Sequence, residues 1–198
     1  MTVQRMRSSA KKCGWVIRIV FLVYTGTVFA QTQLSEIESD ELMKRIVQLS
    51  GNADKKSEIE PYIQEITNRA SAGHPSAKFN WDWYRYQLCN SIKKQGIDVS
   101  GTPICAQALD DLKAVAENTK ISILSIAPAS MRILGEIYRD GIGTKPSRYL
   151  AADWFVKSAK QKSANGDREG AIRALEEAFN AVPEYPDAIE LHASMLKQ

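Results

Sequence analysis

The sequence predicts an all-α fold, an α/α superhelical array of helical hairpins (a solenoid) with one disulfide. Three observations carry that prediction. Apolar residues recur at three- and four-residue intervals through most of the chain after Gln31. Glycine and proline interrupt those stretches at helix-length intervals, and strand-like alternation is scarce. The 198 residues suit one compact domain or a short array of repeats, and a composition 44% hydrophobic and 25% charged can bury a core.

Residues 1–30 read as an export leader. Arg5, Arg7, Lys11, Lys12 and Arg18 precede an apolar run that begins Ile19-Val20-Phe21-Leu22-Val23-Tyr24. Val28-Phe29-Ala30 then sets small residues three and one before the bond Ala30–Gln31. A basic region, a short apolar run and a small-residue exit form the layout of a secretory signal peptide. Arg18 cuts the run to about twelve residues, short of the roughly twenty that a spanning helix needs. An uncleaved anchor is the rival reading. The long basic region favours bacterial export to the periplasm, with no integral membrane segment after cleavage at Ala30. The leader carries five basic residues and no acid, so the remainder holds 21 basic and 23 acidic residues, a net of −2. That balance excludes a basic nucleic-acid footprint.

Cys13 falls in the leader, which leaves Cys89 and Cys105 as a pair. In an oxidising compartment such a pair is most simply a disulfide. It would close a loop of fifteen residues, Asn90 to Ile104, worth on the order of 3 kcal/mol in the chain-entropy account. The sequence contains no C-x-x-C, and neither His74 nor His192 has a metal-ligand spacing to the cysteines. No metal and no other cofactor is expected.

The helices follow in order. Residues 35–49 carry Ile37, Leu42, Ile46 and Leu49 and stop at Gly51; residues 57–72 carry Ile59, Ile63, Ile66 and Ala70 ahead of Gly73. Pro75 opens a helix over 75–90, where its missing N–H is unpaired in any case. Residues 93–103, with Gly96, Gly101 and Pro103, form a loop. A helix over 104–118 lines up Ala108, Leu109, Leu112 and Val115. Four more span 128–140, 147–161, 167–182 and 186–197, the last with Ile189, Ala193 and Leu196 inward. Residues 120–129 read equally as loop core or as a helix end. The expected domains are a leader over 1–30, a helical segment over 31–56 and a repeat domain over 57–198.

From Ala129 the chain resembles the Sel-one-like repeat, a relative of the tetratricopeptide repeat. Leu134, Gly135, Tyr138, Gly141 and Gly143 match its first helix and glycine loop, and Ala151, Trp154, Lys157 and Ala159 match its second helix. Ser147 stands where that family usually has Asp. The next stretch resembles a tetratricopeptide motif through Phe155, Ala159, Gly166, Ala171, Leu175, Ala178 and Pro183, with Ser158 and Lys162 in place of large apolar residues. Ala70, Gly73, His74 and Ala77 resemble a junction between two such repeats, but Trp81 and Asp82 replace the Leu-Gly that should follow. The likeness is close over 129–186 and loose over 57–198. Its physical logic is plain: small residues sit where helices cross, and aromatic rings fill the space beside them.

The resemblance implies that the first helix of each pair lines a concave surface. Arg132, Glu136 and Arg139 would then face a groove, with Asp153, Val156 and Lys160 from the next helix. The plainer reading is a solvated charged face. In the 75–90 helix, Ala77, Trp81, Tyr84 and Leu88 share one side, and Phe79, Trp83 and Tyr86 nearly the opposite side. Such a helix is either buried on both sides or offers an aromatic face to a peptide or protein.

No catalytic set emerges. Neither G-x-S-x-G nor H-E-x-x-H occurs, and Gly141–Lys145 lacks phosphate-loop spacing. The neighbours Asp110-Asp111 and Glu176-Glu177 diverge around their helices. His74 is suited to a backbone hydrogen bond at a helix junction, and His192 to the core of the last helix. The sequence thus points to an exported, non-enzymatic scaffold that binds a protein or peptide and serves a bacterial envelope assembly. The alternative is a protein that binds cell-wall glycan or regulates a cell-wall enzyme, with Trp81 and Trp83 supplying the stacking.

Overall fold

The computed structural model describes residues 37–50, 53–118 and 125–197. The expected leader and its cleavage site lie outside them, as do residues 120–124 of the ambiguous 120–129 segment, whose described remainder enters a helix at Ile126. Among the described residues there are eight α-helices and no strand: α1 Ser39–Ser50, α2 Lys56–Ser71, α3 Pro75–Lys94, α4 Pro103–Glu117, α5 Ile126–Asp140, α6 Arg148–Ala164, α7 Arg168–Ala181 and α8 Pro186–Met195. A short 3-10 turn, Ala53–Lys55, precedes α2. The chain divides into two compact units, one ending at Glu65 and one beginning at Ile66. The division falls within α2.

In the first unit α1 buries Leu42, Met43 and Ile46. Leu49, expected on the same stripe, is half-buried in the last turn of α1, and Met43 is buried beside Leu42. Arg45 reaches Tyr62, with its guanidinium 5.8 Å from the ring centroid, and pairs with Glu41 at 3.3 Å.

In the second unit each helix from α3 to α7 packs on its successor, and α3 also touches α5 as α6 touches α8. Ala108, Leu109, Leu112 and Val115 of α4 are all buried. One core cluster gathers residues such as Leu112, Ile133, Leu134, Ile137 and Trp154, and another gathers Phe155, Val156, Leu175, Ala188 and Met195. Tyr138 packs against both clusters.

The helix ends follow their sequence signals. His74 caps α3, its Nδ1 accepting from the Ala77 N–H at 3.4 Å. Ser147 Oγ accepts from Leu150 N–H at 3.4 Å, and Asp167 Oδ1 from Gly170 N–H at 2.9 Å. The Lys162 ammonium, 2.9 Å from Asp167, and that N–H together hold the Asp167 carboxyl below its ordinary range. Ser158 is fully buried and donates to the Pro128 carbonyl at 2.8 Å. Both departures from the tetratricopeptide pattern thus have local work, one bonding across α5 and α6 and one supporting a cap.

Gly135 sets the α5–α6 crossing. A Cβ there would lie 2.5–2.8 Å from the ring of the fully buried Phe155. Gly143 sits at φ +67°, and a Cβ on it would collide with the backbone of Cys105 and Ala106. Its N–H donates to the Val99 carbonyl at 3.2 Å, which ties the glycine loop to the α3–α4 connection. Cys89 and Cys105 are joined, with Cα atoms 5.9 Å apart, and both are completely buried.

The last helix differs from expectation. Ala188 and Met195 face inward, whereas Ile189 is 51% and Leu196 71% exposed. A ten-residue helix with apolar residues on more than one side leaves periodicity without a unique answer. His192 is exposed and meets Phe179 edge-on at 6.0 Å, so it is not a core residue.

Candidate functional site

The residues proposed to face a common groove separate into two sets. On α5, Glu136 accepts from the Tyr86 hydroxyl of α3 at 2.8 Å and also from Arg132. Arg139 pairs with Asp140 and with Glu177 of α7, each at 2.9 Å. Arg132, Glu136 and Arg139 therefore share a face of α5 that bonds to α3 through Tyr86 and to α7 through Glu177. The Arg132 and Arg139 side chains stay 45% and 38% exposed. Burial, then the neighbouring Glu136 carboxylate, pushes the Tyr86 phenol well above its ordinary pKa.

The other set belongs to a different face. Asp153 pairs with Lys157 of its own helix at 2.8 Å, and Lys160 approaches Asp187 of α8 at 3.7 Å. Val156 is 2% exposed in the cluster that also holds Ala188 and Met195 of α8. It offers nothing to a partner, because α8 folds back onto α6 and covers that side.

The aromatic helix also turns out differently. Tyr86 is buried in the first core cluster, and Phe79 and Trp83 are half-buried against it. Phe79, Trp83 and Tyr86 are therefore the packing face of α3, not its free one. The opposite side carries Trp81 and Tyr84, stacked with centroids 5.8 Å apart, and there a cavity opens.

This cavity of about 290 Å³ lies in the second unit. Thr67, Ala70 and Ser71 at the end of α2 form one wall, and Gln107 and Asp111 of α4 form another. Between them α3 presents Lys78, Trp81, Asp82 and Arg85 at successive turns. The Arg85 guanidinium bridges two carboxylates, donating to Asp82 and, at 2.5 Å, to Asp111. Lys78 Nζ lies 3.1 Å from Asp111 and 4.0 Å from Asp82, and Gln107 donates to Asp111 at 3.1 Å. The guanidinium stands 5.9 Å from the Trp81 ring centroid. Asp82 is 1% exposed, yet its Oδ2 has no hydrogen-bond partner, nor has Arg85 Nε. Leaving buried polar groups unsatisfied costs about 1–3 kcal/mol each.

The two carboxyls are driven apart. Burial raises Asp82 to about 6 against the pull of Arg85. Burial also works on Asp111, but hydrogen bonds from Arg85, Gln107 and Lys78 together outweigh it and hold that carboxyl below its ordinary range. The folded chain thus binds the Asp82 proton more tightly than the unfolded chain does. Its contribution to stability is fullest below the ordinary Asp range and declines as pH rises through about 6. Urea unfolding at stepped pH should therefore show the stability of the wild type falling relative to Asp82→Asn between about pH 4 and 7. A constant difference across that interval would contradict the burial of a titrating Asp82.

The sequence reading missed this cluster. Its signal was the Trp81-Asp82 departure from Leu-Gly, together with Arg85 one turn on and one member of the Asp110-Asp111 pair. Among the described residues no group of three or more His, Cys, Asp and Glu side chains is disposed to hold a metal ion. No described helix is long and apolar enough to cross a membrane. No family model, curated protein or solved structure matches this chain.

Proposed function

We infer that this chain is an exported helical-repeat scaffold that binds a protein or peptide partner and serves a bacterial envelope assembly. One observation carries the reading: side-chain hydrogen bonds from Tyr86 to Glu136 and from Arg139 to Glu177 link the alternate helices α3, α5 and α7. Alternation of that kind is what stacked hairpins of a solenoid produce. The resemblance to Sel-one-like and tetratricopeptide repeats supports the same reading, with Gly135 admitting the Phe155 ring and Gly143 the Cys105–Ala106 backbone. Two partly exposed arginines, two turns apart on α5, suit acidic groups of a bound segment. The paired cysteines fit an oxidising compartment.

A crosslinking pull-down from a native envelope fraction, with Arg132→Glu/Arg139→Glu as comparison, tests the binding face. The expected outcome is loss of a defined partner from the double variant, by at least about tenfold for two charge-assisted contacts, while its far-UV circular dichroism stays that of the wild type. Equal recovery of every partner by both proteins would remove that face from the reading.

A further inference from the structure

The cavity bounded by α2, α3 and α4 supports a second binding activity, which goes beyond the scaffold reading and does not depend on it. We propose that this cavity binds a neutral sugar ring. Its fixed charges cancel, Lys78 and Arg85 standing against Asp82 and Asp111. An anion entering it meets two carboxylates, and a cation meets an ammonium and a guanidinium, so a lone ligand charge gains little. The walls mix donors and acceptors at close range: the Lys78 ammonium and the Gln107 amide each donate to the Asp111 carboxylate at 3.1 Å. Adjacent hydroxyls, each both donor and acceptor, match such a lining.

Of the lining residues only Trp81 and Ala70 are apolar. A peptide's apolar side chain would strip water from the polar walls without replacing it. A sugar has one carbon-hydrogen face for the indole and hydroxyls at its rim for the walls. Tyr84 stacked beside Trp81 and the Arg85 guanidinium over its ring fix the indole's position at the cavity wall. The volume, about 290 Å³, lies at the small end of ligand sites. The buried Asp82–Arg85 pair, incompletely bonded, is a costly element at the base of a cleft. It fixes Arg85 and through it Asp111, the more accessible carboxylate.

The experiment follows the indole N–H signal of Trp81 in the folded chain during titration with methyl glucoside, methyl galactoside and the N-acetylglucosamine trimer. Glucuronic acid and an acidic peptide serve as charged comparators. At least one neutral sugar should shift the Trp81 signal saturably, with an affinity unchanged between about 0.05 M and about 0.5 M NaCl. By calorimetry Trp81→Ala should weaken that binding about tenfold. Gln107→Ala, at an exposed position, should weaken it about fivefold without altering the fold. Failure of all three neutral sugars to move the Trp81 signal would overturn the proposal. So would saturable binding confined to the charged probes, or sugar binding that both variants retain in full. Arg132→Glu/Arg139→Glu should leave sugar binding intact, which separates this result from the fate of the scaffold reading.

Discussion

Gly143→Ala is expected to destabilise the protein by about 3 kcal/mol. Two contributions add. An alanine at φ +67° costs about 1 kcal/mol in the left-handed region. The new methyl would also strike the backbone of Cys105 and Ala106. A backbone inside a helix start, locked by a disulfide, has no rotamer by which to yield, and overpacking of this kind costs about 1–3 kcal/mol. Gly166→Ala is the control, because Gly166 has φ +80° and open space around it. It should cost only the conformational part. Urea midpoints read at unchanged m-value would give the difference, and equal losses at the two glycines would refute the packing argument.

Removing the Cys89–Cys105 bond, by reduction or by Cys89→Ala/Cys105→Ala, is expected to cost about 3 kcal/mol through the freed loop. The measurement is chemical unfolding with and without reductant, with the double variant showing no response to reductant. The two predictions should also couple. Gly143 donates to Val99, which lies inside the loop that the disulfide closes, and its missing side chain makes room for Cys105. Once the loop is free to shift, the added methyl should cost less, so the combined loss should fall short of the sum. Strict additivity would mean that the two features act independently.

The helices were legible because their ends are chemically marked. Pro75, Pro103 and Pro186 each begin a helix within one residue of expectation, and Ser147 and Asp167 sit at the caps. The disulfide was legible because assigning Cys13 to the expected leader left one pairing. What the sequence did not reveal is which side of a helix with apolar residues all round turns inward. Helix α3 is the clear case: Phe79, Trp83 and Tyr86 form its core face and Trp81 its open one, and spacing alone treats the two sides alike. Val156 was misplaced for a tertiary reason, since only the return of α8 onto α6 covers it. The Asp82–Arg85–Asp111 cluster joins residues from two helices, and its third member is set by how α4 packs on α3. No local pattern reports that.

Tyr138 has one more consequence. In a chain of stacked hairpins the ends could fray one repeat at a time, each leaving its neighbour whole. Here a single phenol ring is wallpaper to two adjoining rooms. Neither can be emptied without baring the other, so the stretch from α3 to α8 should melt as one block rather than unzip from its tail.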